Sequence, residues 1–174
     1  MKYLIASDLH GDINGYIKLK DLILKENFDK LILLGDLTNG YDVEPINNVL
    51  DNIYIPIQTV MGNCDNTRVM ESLHLGYLGF IHQESIGNRN ITFTHGHRYN
   101  LNAIPGDLNK GDVLLYGHFH SPEIIIKNDV VCCCVGSVSY PRGYSAASYA
   151  VLTDTDIGVY NINTQKAIIK YNFD

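Results

Sequence analysis

No stretch of this chain approaches the roughly 18 consecutive apolar residues that a membrane-spanning helix requires, so a helical span is excluded. The N-terminal run from Met1 to Ser7 is too short for a secretory leader and is interrupted by Asp8, which points to the cytoplasm. A disulfide framework is also missing. Of the four cysteines, Cys132, Cys133 and Cys134 are consecutive and Cys64 is distant, with no Cys-x-x-Cys pair. On a strand, Cys132 and Cys134 would face one way and Cys133 the other, as small packed hydrophobes. There is no basic excess: 13 Lys and Arg stand against 19 Asp and Glu, for a net charge of -6. That balance argues against the broad electrostatic footprint of a long nucleic-acid partner. Repeats, low-complexity segments and linkers are lacking too, leaving a single domain over residues 1–174.

What is present is an alternation of short apolar segments and helical patterns. Tyr3 to Ser7 reads as a strand. Asp12 or Asn14 can cap a helix running to about Lys25, with Tyr16, Leu19, Leu22 and Ile23 near helical spacing. Leu31 to Leu34 is a second strand, and Pro45 suits the first turn of a helix through Leu50. Tyr54 to Val60 is a third strand, with Pro56 near its start or at a bulge. This order predicts parallel strands, and their all-apolar character predicts a sheet covered on both faces. The second half is β-rich. Leu78 to Ile86 and Asn90 to Thr94 flank the hairpin signal Gly87-Asn88-Arg89. Further strands are predicted at 113–116, 123–127, 130–135, 148–153, 157–162 and 167–171. The simplest assembly is an α/β fold of two face-to-face sheets with helices outside.

The chemistry sits where these strands end. The first leads into Asp8-Leu9-His10, the second into Gly35-Asp36, and the third into Gly62-Asn63-Cys64-Asp65. Asp36 follows Asp8 by 28 residues and Asn63 follows Asp36 by 27. One strand–helix–strand crossover takes about thirty residues, so each step returns the chain to the same sheet edge. Two later strands lead into His95-Gly96-His97 and Gly117-His118-Phe119-His120. Four of the seven histidines thus fall in two strand-end motifs, and a fifth, His10, lies beside Asp8, whereas His74 and His82 have no supporting pattern. Mixed His, Asp and Asn sets are what borderline divalent cations select.

The ordered set Asp-x-His, Gly-Asp, Gly-Asn-x-Asp, His-Gly-His and Gly-His-x-His resembles the calcineurin-like metallophosphoesterase superfamily. The short length and the segments 62–65, 94–97 and 136–142 resemble its small bacterial and archaeal phosphodiesterase branch. The resemblance implies a four-layer α-β-β-α sandwich. It also implies that Asp8, His10 and His120 hold one divalent ion, that Asn63, His95 and His118 hold the other, and that Asp36 bridges them. Mn2+ is the ion it points to, while the N/O ligand chemistry equally admits Fe, Zn, Co or Ni. Two carboxylates offset half of four positive charges, so the pocket would suit a phosphate anion. A hydroxide shared by the ions is then the expected nucleophile for in-line attack on phosphorus.

Four further residues carry both functional and structural readings. Cys64 occupies the place where many superfamily members have histidine. It either lines the site as a poor acid, favouring good leaving groups, or is a packed thiol. His97 either meets phosphate or replaces the missing acid, or it supports a neighbour. Asp65 either orients the site or caps a helix. Arg142 either binds substrate phosphate or is solvated. The expected activity is that of a phosphodiesterase acting on a small phosphodiester, with no membrane partner. Phosphomonoesterase and nuclease activity are alternatives in the same class, and a non-catalytic binding scaffold is the alternative from another class. Related small proteins imply a homo-oligomer, dimer or tetramer.

Overall fold

The computed structural model describes residues 1–173. Its elements run β1 (Lys2–Ala6), α1 (Ile13–Lys25), β2 (Lys30–Leu33), α2 (Glu44–Leu50), β3 (Ile57–Thr59), α3 (Thr67–Met70) and β4 (Gly76–Tyr77). Strands β5 (Ile81–Ile86), β6 (Arg89–Thr94), β7 (Val113–Tyr116), β8 (Glu123–Lys127), β9 (Val130–Cys134), β10 (Ser148–Thr153), β11 (Asp156–Asn161) and β12 (Ala167–Asn172) follow.

The strands form two mixed sheets, ordered β12-β11-β10-β1-β2-β3-β4 and β5-β6-β7-β9-β8. Within the first, β1, β2, β3 and β4 are parallel. Within the second, β6, β7 and β9 are parallel, with β5 and β8 antiparallel at the edges. The parallel strands therefore deliver their carboxyl ends to one edge of each sheet.

The all-apolar strands have two destinations. Ile5, Ile32 and Leu34 pack with Phe93, Leu115 and Cys133 between the sheets. Leu4, Leu31 and Leu33 face the other way, against Tyr16, Leu19 and Leu22 of α1 and Ile46 and Leu50 of α2. Each strand is covered on both sides, so it carries no polar alternation. Asp12 caps α1 by accepting from the Asn14 amide at 3.1 Å. The buried Tyr16 hydroxyl donates to the Leu37 carbonyl at 2.8 Å, tying α1 to the turn after β2.

The four layers are unequal. Leu114, Tyr116, Cys132 and Cys134 on the outer face of the second sheet are covered by Leu101, Ile104 and Leu108. These come from a segment that contains no helix. The outer helical layer is thus reduced there to a packed loop. The three adjacent cysteines alternate faces as expected: Cys133 lies between the sheets and its neighbours lie on the outer face.

Two local expectations are corrected. The strand expected from Leu78 begins at Ile81. The third strand begins at Ile57 rather than Tyr54, because Pro56 has no amide to donate; its carbonyl instead accepts from Leu31 at 3.0 Å. The short α3 and β4 lie in a stretch with no sequence periodicity. Among the described residues no helix is long and apolar enough to cross a membrane.

Candidate metal centre

The loops after β1, β2, β3, β6 and β7 meet at the shared edge. Asp8, His10, Asp36, His118 and His120 all have positive φ, between 45° and 65°. Non-glycine residues rarely adopt this left-handed conformation, and clusters of it mark functional sites. Tight approach makes glycine obligatory beside them. A side chain on Gly117 would run into Ser7 and the Asp8 carboxylate, and one on Gly62 would run into Asp36.

Asp8 is fully buried. Its Oδ2 accepts from the His118 amide at 2.9 Å, while its Oδ1 has no hydrogen-bond partner. Around that orphaned oxygen stand the Nε2 atoms of His120 at 3.2 Å, His10 at 3.9 Å and His95 at 4.0 Å. Asp36 Oδ1 accepts from the Cys64 amide at 2.8 Å. Its Oδ2 faces His95 Nε2 at 3.3 Å and His10 Nε2 at 3.8 Å. Asn63 Oδ1 lies 3.1 Å from His95 Nε2.

Two histidines have their tautomer set by the backbone. His95 Nδ1 lies 2.7 Å from the Leu34 carbonyl, and His120 Nδ1 lies 2.6 Å from the Tyr140 carbonyl. A carbonyl only accepts, so each Nδ1 carries the proton and each neutral Nε2 turns a lone pair into the centre. Nε2 of two imidazoles, the oxygens of two carboxylates and one carboxamide oxygen thus converge on one centre. A cation suits that set. Three groupings share the centre: Asp8, His10 and His120; Asp8, Asp36 and His95; and His10, Asp36 and Cys64. His118 stands beside the second, its ring 5.1 Å from that of His95.

The electrostatics follow from this crowding. Burial works against the ionised form of Asp36, but the adjacent His95 ring and the Cys64 amide outweigh it and hold the carboxyl well below the usual range. His95 is raised: its burial opposes the charged form, and Asp36 and Asp8 overcome it. His120 is raised by the Asp8 carboxylate that faces it. His118 and His97 are lowered, by burial first and then by His95.

The remaining candidates fall into distinct places. Cys64 is exposed, and its sulfur groups with His10 and Asp36, which removes the packed-thiol reading. Burial and Asp36 push that thiol up to about 11. Asp65 is no helix cap, since Asn66 caps α3 through the Arg68 amide. Its carboxylate instead takes three amides: Asp36 at 2.7 Å, Gly62 at 2.9 Å and Leu37 at 2.9 Å. Burial pushes its carboxyl up, against those three donors. With both oxygens so engaged, Asp65 clips the β2 and β3 loops together and is no longer a candidate for direct chemistry. The His97 ring is 5.5 Å from that of His95, with a buried Nδ1 that has no hydrogen-bond partner. Arg142 is exposed on the rim of a cavity beside His10 and His120.

Three contributors escaped sequence reasoning. Ser137 Oγ donates to the Asp8 carbonyl at 2.8 Å and accepts from the Tyr140 amide at 2.8 Å. Tyr140 offers its carbonyl to His120, and its ring lies T-shaped to that of His10 with centroids 5.6 Å apart. Asn39 lines the same cavity as Arg142. The resemblance of segment 136–142 covered Ser137 and Tyr140 without giving either a role, and nothing pointed to Asn39.

The profile of the calcineurin-like phosphoesterase superfamily domain matches residues 1–156. Phosphodiesterase YfcE of Escherichia coli K12 is 30% identical over 177 aligned residues, covering 97% of this chain and 96% of that protein. A solved structure of E. coli YfcE, described as a phosphoesterase, gives a TM-score of 0.88 at 29% identity over 100% of both chains. Entamoeba histolytica Vps29 complexed with Zn2+ gives a TM-score of 0.67 at 18% identity over 100% of both chains, a likeness of fold alone.

Proposed function

The chain belongs to the calcineurin-like phosphoesterase superfamily and is a metal-dependent phosphodiesterase, and we propose that seven of its side chains hold two ions. Asp8, His10 and His120 take one ion, Asn63, His95 and His118 take the other, and Asp36 lies between them. The observation that carries this assignment is Asp8 Oδ1, a buried carboxylate oxygen without a hydrogen bond, faced by three imidazole nitrogens. An anion so placed is costly unless a cation completes it.

When bound, such ions supply Lewis acidity toward phosphoryl oxygens and acidify water to hydroxide near neutral pH. The chain's own residues prepare the place. The Leu34 and Tyr140 carbonyls fix which nitrogen of His95 and His120 points inward. Asp65 holds the Asp36 and Gly62 amides in register, and the Cys64 amide orients the Asp36 carboxylate. Asn63 and His97 flank the second ion's side, where a phosphoryl oxygen would lie, and Arg142 adds a positive charge at the rim of the first. Cys64 faces the centre in place of a stronger acid, so diesters with good leaving groups are preferred.

The substrate in this reading is a small phosphodiester rather than a long nucleic acid, given the net charge of -6. Mn2+ is the proposed ion and the cytoplasm the proposed compartment. The test is reconstitution of metal-free protein with Mn2+, Fe2+, Zn2+, Co2+ or Ni2+, followed by metal analysis and turnover of an aryl phosphodiester. Two equivalents of bound metal with metal-dependent turnover are expected. Protein that takes up no metal would overturn the assignment, and loaded protein inert to every diester would make it a binding scaffold.

A further inference from the structure

A cavity of about 550 Å³ opens on the His10 and His120 side of the centre. Its walls are His10, His120, Asn39, Tyr140, Pro141 and Arg142. The volume is that of a small-molecule site. A phosphate group alone would leave most of it empty, so the space fits an organic substituent of the ester. The Tyr140 ring is half-exposed, and neighbouring Pro141 presents a second apolar surface. The ring also packs T-shaped against His10, while the Tyr140 amide and carbonyl are tied to Ser137 and His120. A fixed, half-exposed aromatic face beside a cation and a carboxamide suits a flat ring with polar groups at its edge.

We propose that this cavity selects phosphodiesters bearing an aromatic ester group, which stacks on Tyr140 while Asn39 reaches the ring edge. The inference rests on the two-metal reading above, because it places the phosphorus between the ions and the ring toward His10 and His120. Tyr140 is then a specificity-determining residue. The π face is common to a nucleobase and to a plain aryl group, but only a nucleobase presents hydrogen-bonding atoms to Asn39.

The test compares the Mn2+-loaded enzyme's dissociation constants for methyl phosphate, phenyl phosphate and a nucleoside 5′-monophosphate by calorimetry. The matching aromatic diesters are then assayed for KM and kcat. The two aromatic ligands should bind about tenfold tighter than methyl phosphate, the scale of one ring stacked on one aromatic side chain. Tyr140→Leu should abolish that preference and raise KM for aromatic diesters by the same factor. Tyr140→Phe should retain it, since the main-chain contacts to Ser137 and His120 are unaltered in both variants. Asn39→Ala separates the two ring sources. A loss confined to the nucleoside phosphate assigns the ring to a nucleobase, and an unaltered series assigns it to a plain aryl group. An aromatic preference that survives Tyr140→Leu, or disappears in Tyr140→Phe, overturns the proposal. Metal analysis of the same samples distinguishes a deeper failure: protein without bound metal refutes the centre and the cavity's role together.

Discussion

Both ends of the second sheet send backbone into the left-handed region, but for opposite reasons. At the far edge, Gly87 (φ 60°) opens the β5–β6 hairpin, and Asn128 (φ 53°) and Asp129 (φ 62°) make the two-residue turn between β8 and β9. Glycine, asparagine and aspartate are the residues that enter this conformation most cheaply, and the right-handed twist of a tight hairpin demands it. At the near edge, His118 (φ 65°) and His120 (φ 59°) adopt the same conformation without any hairpin to demand it. Holding an ordinary L-residue there costs roughly 1–2 kcal/mol. The far edge is therefore stable by its local chemistry. The near edge is held by long-range contacts such as the Asp8 carboxylate on the His118 amide and the Ser137 hydroxyl on the Asp8 carbonyl.

Substituting glycine at the strained edge breaks the comparison most forcefully. His118→Gly keeps the amide that meets Asp8 and removes both the left-handed strain and one imidazole. Turnover of an aryl phosphodiester should fall on the order of a hundredfold or more. The metal-free protein should stay within about 1 kcal/mol of wild type or gain stability. Steady-state kinetics and urea unfolding of metal-free protein read the two effects separately. A variant that loses more than about 2 kcal/mol would show that the near edge is not strained at all.

Asp65→Asn attacks what holds the near edge in place. One of its three amide donors would then confront an NH2 group instead of an oxygen. A charge-assisted set of buried bonds is lost, and stability should fall by about 3 kcal/mol. Metal affinity should fall roughly tenfold to a hundredfold, as for other residues that orient a ligand. Competition with a chelator dye measures the second quantity. Unchanged affinity alongside lowered stability would reduce Asp65 to a purely structural clip.

The unequal roles of these residues explain what could be read without coordinates. Asp8, Asp36 and Asn63 were legible because parallel strands force a period of about thirty residues and return each strand end to one edge. His95, His118 and His120 were legible because histidines recur at two later strand ends. The Leu34 and Tyr140 carbonyls were not, since every residue has a carbonyl and only the fold selects which one meets an imidazole. Ser137 was equally silent: its hydroxyl bridges to Asp8 across 129 positions of chain. The thin outer layer over the second sheet escaped for a related reason. Leu101, Ile104 and Leu108 cover it from a loop, without the periodicity that betrays a helix.

Away from both edges, a polar cluster joins the sheets and gives the fold a pH limit. The Tyr3 hydroxyl donates to Glu84 at 3.2 Å, and Lys30 pairs with the same carboxylate at 2.9 Å. Burial and then Glu84 push the Tyr3 hydroxyl up to about 12, so the folded state keeps a proton that the unfolded chain sheds near pH 10. Between those values the unfolded state binds fewer protons, and stability must fall as pH rises. Two pH units set a ceiling of about 3 kcal/mol, and partial solvent access to Glu84 lowers the expected loss to about 2 kcal/mol. Urea unfolding of wild type and Tyr3→Phe at pH 9, 10, 11 and 12 checks it: the variant should show the shallower decline. Parallel slopes would remove Tyr3 from the account.

The smallest effect is expected at the relaxed edge. Asp129→Gly completes an Asn-Gly turn, the pairing most suited to two consecutive left-handed positions. The Asp129 carbonyl still accepts from the Gly111 amide, so the tie to the start of β7 survives. Relief of the left-handed conformation is nearly offset by the greater freedom of glycine in the unfolded chain. Aspartate was already tolerant there, so the net gain should be about 0.5 kcal/mol. Turnover should not change, because the turn lies at the opposite end of β9 from Ser137. Urea midpoints for this variant and His118→Gly, measured side by side on metal-free protein, weigh the same backbone conformation in two settings. Should glycine at 129 stabilise as much as glycine at 118, the near edge carries no more strain than an ordinary hairpin. Its left-handed histidines would then owe nothing to the contacts that surround them.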